Sequence, residues 1–224
     1  MVRENEGALT RGGLREQVRE LVLRRILDGV YGPGERIVEH RLTKELGISQ
    51  APVREALREL EAMRFVESQP NRGVRVRAMT AHELGEMYPV RAALEEVAGR
   101  TAAPLITEET LGLLDAEIGE MRDAASRADV HSQLHHDARF HELIIEASGN
   151  SLLFDLWRSL HVETRTLITF SRVDHDLLAI ADLHLPIVRA LRHRDPELVG
   201  KEMRDHIEHF GALVMGASPD EHEH

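Results

Sequence analysis

There is no cysteine among the 224 residues, so disulfides, zinc-thiolate sites and thiol chemistry are excluded. Aromatic residues make up only 4% of the chain, while Leu, Ala, Glu and Arg are abundant, a balance that favours helix. No apolar run approaches the roughly 20 residues of a membrane span. The first residues are polar, with Glu4 and Glu6 and no apolar core, which is not the pattern of a signal peptide. The expectation is a soluble, cytoplasmic protein with no membrane partner, built as one large or two modest domains.

Charge of one sign is scarce in one half. The net charge of −11 divides into 15 Lys/Arg against 12 Asp/Glu over residues 1–79 and 13 against 27 over residues 80–224, or +3 and −14. An acidic body repels phosphate, so contact with nucleic acid is expected of the N-terminal part alone.

That part is organised around Gly47 to Leu60. Gly47 suits a helix C-cap in the left-handed region. Ser49 is an expected N-cap for the next helix, and Pro52 lies in its first turn, where a missing N–H costs nothing. Val53, Ala56, Leu57 and Leu60 recur at the spacing of one buried helical face. Gln50, Arg54 and Arg58 fall four apart on another face. An amphipathic helix over about 11–28 and a second over Glu39–Leu46 precede this one, with a short extended piece, Arg36-Ile37-Val38, between them. After it come Phe65–Ser68 and then Val74–Arg77, which alternates strictly as a half-buried strand, joined by Gln69-Pro70-Asn71-Arg72-Gly73, a hairpin turn with a cation at its tip. Three helices and a basic-tipped hairpin make a winged helix-turn-helix, which reads DNA by placing a helix N-terminus in the major groove.

Gly32-Pro33-Gly34, the segment Glu39 to Gly47, Ser49-x-x-Pro52-Val53-Arg54-Glu55-Ala56-Leu57 and Pro70-x-Arg72-Gly73-x-x-Val76 resemble the winged-helix domain of the GntR family of bacterial transcription regulators. The resemblance implies DNA contacts from His40, Arg41, Ser49, Gln50, Ala51, Pro52 and Arg54, and from Arg72 and Gly73 in the wing. Family members usually carry Arg where this chain has Gln50, which points to adenine in place of guanine at that step of the operator. Glu55 is expected to be a structural partner for nearby arginines.

From Thr80 onward there is no strand pattern and no repeat, and an antiparallel helical bundle of six or seven helices is expected. Thr80 with Glu83 is a capping-box signature opening a helix to Pro104. Further helices are expected over about 107–127, 132–148 and 151–170, then two flanking Asp195-Pro196 and ending near Val214. Asp182 is the expected N-cap of the helix carrying Pro186. The domains expected are thus 1–79 for DNA, 80–216 for an effector, and a flexible tail, 217–224, whose His222 and His224 carry no assigned role.

All but one of the 14 histidines lie after residue 79. Asp137 and His141 are four apart on a helix and project together near its apolar side. With His184 and His206 they supply one carboxylate and three imidazoles from three helices, a set that suits Zn²⁺, Ni²⁺ or Mn²⁺ with positions left open. The spacing also allows a plain Asp–His hydrogen bond in the core and unrelated surface histidines.

Asp137-x-x-Phe140-His141, Ala147-Ser148-Gly149-Asn150, His184-x-x-Ile187-Val188 and Met203-x-x-His206-Ile207 are similar to the FCD ligand-binding domain of the FadR-type branch of the same family, and Tyr88-x-x-Arg91-x-x-Leu94-Glu95 resembles its opening. The resemblance implies a divalent metal ion, Zn²⁺ first, on Asp137, His141, His184 and His206. It also implies a small carboxylate effector on Arg91 and Asn150. Where the family usually has Glu before the third ligand, this chain has Leu183. His135, His136 and His209 do not match ligand positions.

The resulting expectation is a homodimeric repressor, not an enzyme, that binds a double-stranded operator and answers to a small organic acid. Two rivals stand beside it: a metal-dependent helical-bundle enzyme with a DNA-binding appendage, and a regulator whose metal is only structural.

Overall fold

The structure, a computed structural model, describes residues 11–69, 73–163, 165–166 and 176–216. The chain divides into two compact units, Met1–Met79 and Thr80–His224.

The N-terminal unit runs α1 (Arg11–Leu27), β1 (Arg36–Ile37), α2 (Glu39–Leu46), α3 (Gln50–Ala62), β2 (Val66–Gln69) and β3 (Gly73–Val76). Gly47 closes α2 at φ 64°, the left-handed cap expected of it. Ser49 takes the N-cap position of α3, yet its hydroxyl makes no cap hydrogen bond. Val53, Ala56, Leu57 and Leu60 are buried against α1, whose Val18 and Val22 face them. Arg15 and Arg19 of α1 both reach Glu59 of α3, at 2.9 and 3.3 Å. The hairpin has the register Val66↔Val76 and Gln69↔Gly73. The short piece at Arg36–Ile37 is a third strand, paired antiparallel with β3. Glu55 has no ion pair among the described residues: the arginines pair instead with Glu59, Glu45 and Glu39.

The C-terminal unit is helical throughout the described residues: α4 (Ala81–Gly85), α5 (Met87–Ala102), α6 (Glu108–Ser126), α7 (Val130–Ala147), α8 (Ser151–Ser159), α9 (Leu177–Asp182), α10 (Leu185–His193) and α11 (Pro196–Gly216). The Thr80–Glu83 capping box is present. The helix expected from Thr80 to Pro104 is broken at Glu86. Pro89 explains the break, since its ring clashes with the carbonyl four residues back, at Gly85. The helix expected from Ser151 to Phe170 stops at Ser159, where His161 turns left-handed at φ 50°; part of its expected remainder lies outside the described residues, as does the tail from 217. Asp182 caps nothing. It ends α9 and accepts from Arg122 Nε at 2.8 Å, and His184 holds the N-cap position of α10.

The core gathers Leu111, Leu114, Ile118, Met121, Phe140, Ile144, Ile187, Leu191 and Met203 from α6, α7, α10 and α11, with Ile106 from the turn before α6. Along the α5–α11 seam, small residues let the backbones close up. A Cβ on Gly211 would lie 2.8 Å from Tyr88 Cγ and 2.9 Å from Tyr88 Cβ, whereas one on Gly112 of α6 would meet nothing. The two glycines should therefore respond with opposite signs. Gly112→Ala is expected to raise unfolding free energy by about 0.5–1 kcal/mol through helix propensity. Gly211→Ala is expected to lower it by about 1–2 kcal/mol, because overpacking outweighs that gain. Denaturant midpoints measured side by side check the pair; two gains would mean the seam has slack.

Candidate metal centre and nucleic-acid face

Three helices bring the four expected ligands together. Asp137 and His141 lie one turn apart on α7, His184 opens α10, and His206 lies in the middle of α11. One ligand atom from each lies within 4.8 Å of the others. His141 and His184 are fully buried, and Asp137 and His206 nearly so. Phe140 packs edge-on against His141 and His184, at centroid distances of 5.5 and 4.7 Å, and forms an apolar wall.

The hydrogen bonds decide which nitrogens face inward. His184 Nδ1 lies 3.2 Å from the carbonyl oxygen of Ala181, which can only accept. Nδ1 therefore carries the proton, and Nε2 presents a lone pair to Asp137 Oδ1 at 3.1 Å. Two acceptors that close need a proton or a cation between them. His141 Nε2 and His206 Nδ1 are also buried with no hydrogen-bond partner. One proton satisfies one pair, whereas a metal ion satisfies all of these atoms at once. The residues present fit a divalent ion.

Glu95 belongs to the Tyr88-x-x-Arg91-x-x-Leu94-Glu95 motif, which by itself assigns it no role. The structure places it, fully buried, at the hub of the site. His141 Nδ1 lies 2.6 Å from Glu95 Oε2, a separation that only an intervening proton explains. Glu95 Oε1 accepts from Arg91 Nε at 2.6 Å and from Trp157 Nε1 at 2.7 Å. A carboxylate behind a ligating histidine fixes its tautomer and raises its basicity. The i,i+4 spacing of Arg91 and Glu95 was the legible signal. Arg91 Nη2 lies 3.9 Å from Asp137 Oδ2 and has no hydrogen-bond partner.

Burial alone would raise the carboxyl of Asp137, but the contact with His184 and the nearby guanidinium of Arg91 hold it well below the usual carboxylate range. Glu95 is likewise lowered to about 2, because Arg91 and His141 outweigh burial. Burial pushes His141 and His206 down. Ionised carboxylates and neutral imidazoles are the forms a metal ion binds. In metal-free protein these shifts fix a direction. Above about pH 6.5, His141 and His206 are neutral both folded and unfolded and contribute nothing. Below it the unfolded chain takes up protons that the folded one refuses. Stability should fall with pH, by at most about 1.4 kcal/mol per pH unit per histidine. Asp137 and Glu95 stabilise the fold above about pH 4.5 and lose that as pH falls through their folded values. Denaturant midpoints of chelated protein between pH 8 and 5 should therefore decline; a flat profile would contradict the burial of neutral imidazoles.

The remaining site residues are dispersed. Asn150 is exposed and its Oδ1 accepts from Leu153 N at 3.1 Å, capping α8. His135 and His136 meet Glu163 and Glu117 at 3.3 and 2.7 Å, and His209 is exposed. On the N-terminal unit, His40, Arg41, Ser49, Gln50, Ala51 and Arg54 are exposed around the start of α2 and α3, and Pro52 is half-buried. Gly73 opens β3 at φ 76°. Arg72 lies outside the described residues.

Residues 14–76 match the bacterial regulatory proteins of the gntR family, and residues 86–209 match the FCD domain. A protein named as probable D-xylose utilization operon transcriptional repressor, from Paenarthrobacter nicotinovorans, is 35% identical over 202 residues, covering 89% of this chain and 88% of its own. The gluconate operon transcriptional repressor of Bacillus licheniformis is 24% identical over 190 residues, covering 82% and 78%. Among solved structures, a protein described as a GntR transcriptional regulator, from Rhodococcus sp. RHA1, superposes with a TM-score of 0.76 at 25% identity over 92% of this chain and 99% of that one.

Proposed function

The chain belongs to the GntR family of bacterial regulatory proteins and carries an FCD domain, and we propose that it is a transcriptional repressor whose hold on an operator is controlled by a divalent metal ion and a small carboxylate together. Its relatives and structural neighbours are transcription regulators. No helix among the described residues is long and apolar enough to cross a membrane.

The observation that carries the proposal is the cluster of ligand atoms on Asp137, His141, His184 and His206, whose imidazole nitrogens on His141, His184 and His206 are buried without a hydrogen-bond partner. These four residues would hold the ion, Zn²⁺ first. When bound, the ion supplies a fixed positive charge with positions open to an oxygen ligand. Arg91 binds and orients the acid, since its Nη2 is buried, free to donate and close to Asp137. The charge count supports a monocarboxylate. Asp137 and Glu95 offset Arg91 and half of a divalent ion, which leaves one buried positive charge for one carboxylate to neutralise. Asn150 is left out, because its oxygen is engaged in capping α8.

Carboxylate binding favours one arrangement of the bundle, and in a homodimer that weakens the fit of two winged heads to two half-sites. Calorimetric titration of metal-loaded and chelated protein with acetate, lactate and gluconate tests the reading, with operator release followed in parallel. Binding that needs the metal supports it. Equal binding without metal, or release by metal alone, would favour a purely structural ion.

A further inference from the structure

The exposed residues of α2 and α3 are not independent of one another. Arg54 Nε donates to Glu39 Oε2 at 2.9 Å, and Arg54 Nη2 donates to Gln50 Oε1 at 3.4 Å. Glu39 is the first residue of α2 and Gln50 the first of α3, so the contacts bridge both helices of the helix-turn-helix. Glu39, Arg54 and Arg58 also line one cleft with Glu61, Ser68 and Val74. Both bonds of Arg54 use one edge of its guanidinium. The end of the fork, Nη1 with the second Nη2 hydrogen, is left over, and that end matches the O6 and N7 acceptors of guanine. Arg54 keeps 57% of its side chain exposed, so the fork is accessible.

A glutamate on a surface that meets phosphate weakens binding unless it does something else there. We propose that Glu39 is a positioning residue for base reading, which holds Arg54 with its fork end toward a guanine. The same contact turns Gln50. Arginine can only donate, so the Gln50 carbonyl must face it and the amide NH₂ faces outward. An outward NH₂ can donate to N7 or O6 of guanine, O4 of thymine or N7 of adenine, so it favours guanine, which presents two acceptors, and no longer offers the donor–acceptor pair that singles out adenine. The adenine preference expected from Gln50 alone is thereby lost. Glu39 acts this way only if the winged head binds DNA; the metal centre plays no part.

The test is selection of duplexes from a randomised pool by the full-length protein, followed by binding to the selected duplex and to an unrelated one at fixed salt. The wild type should enrich a guanine with a neighbouring guanine or thymine. Glu39→Ala should bind the selected duplex roughly 10- to 100-fold more weakly, the range of one bidentate base contact, and lose its preference at the guanine. It should bind the unrelated duplex as well as or better than wild type, because a negative charge has gone. Glu39→Gln, which keeps a carbonyl acceptor, should fall between. Adding Arg54→Ala to Glu39→Ala should cost no further discrimination. Equal tightening on both duplexes, unchanged guanine preference in Glu39→Ala, or adenine enriched beside the guanine would overturn the assignment. A wild-type pool with no enriched sequence would overturn both it and sequence-specific DNA binding.

Discussion

Replacing His206 with Ala is expected to weaken metal binding roughly 100-fold or more, beyond the ~10- to 100-fold that changes outside the coordination sphere produce. Asp137→Ala should do the same. Each removes one of four ligand atoms that lie within 4.8 Å of one another, and no fifth such residue joins the cluster among the described residues. The thermal signature is more diagnostic than the metal content. A ligand at 100 times its Kd stabilises the folded state by about 2.7 kcal/mol. Chelator should therefore lower the melting temperature of the wild type by several degrees and leave His206→Ala unmoved. A loss of stability that is the same with and without chelator would reflect packing alone. Undiminished metal in purified His206→Ala, by elemental analysis, would sink the assignment.

How much of this centre is legible in the chain varies by residue. Asp137 and His141 are one helical turn apart on a sequence that is otherwise apolar on that side, and spacing alone pairs them. His184 and His206 lie 43 and 65 residues beyond His141, at a distance where periodicity says nothing. Only the family resemblance placed them. Glu95 was missed because its partners come from α7 and α8, and a buried carboxylate reads in sequence like any exposed glutamate. Its one local signal was the i,i+4 relation to Arg91. The same limit governs Glu39, whose partner Arg54 is 15 residues away and across a turn.

The fold was legible where local chemistry is strong. The Thr80–Glu83 box, the Gly47 cap and the alternation of the wing each specify a conformation within four or five residues. It was less legible where a single residue overrides a long periodic run. Leu84, Met87, Tyr88 and Arg91 keep helical spacing straight through the break at Glu86, because the pattern continues in phase on both sides of it. Pro89 carries the information, and it does so by excluding a hydrogen bond and not by adding contacts. The third strand at Arg36–Ile37 is too short for any alternation, and its pairing with Arg75 and Val74 is fixed by the hairpin that arrives later.

Arg91 joins the stability of the bundle to its control, and its substitutions should separate the two. Arg91 is 1% exposed, and its guanidinium donates to Glu95, which is fully buried. Arg91→Met would leave the Glu95 carboxylate with Trp157 and His141 as its remaining donors. Stranding a buried charge costs about 3–5 kcal/mol, and unfolding free energy should fall by that much. Adding Glu95→Gln removes the stranded charge and keeps a carbonyl oxygen for the Trp157 indole. The double variant should therefore regain roughly 2 kcal/mol, against the sense of simple additivity. Arg91→Lys probes the other role. It preserves the positive charge but not the planar fork, so the site keeps its charge balance and loses a paired hydrogen bond to a carboxylate. One charge-assisted hydrogen bond contributes about 1.5–3 kcal/mol, so carboxylate affinity should drop roughly 10- to 150-fold. Metal content should be unchanged, since Arg91 is not a ligand. If Arg91→Met costs no more than a surface substitution, the buried pair is not the brace that its geometry implies. If Arg91→Lys binds carboxylates as tightly as wild type while holding its metal, the acid does not meet Arg91.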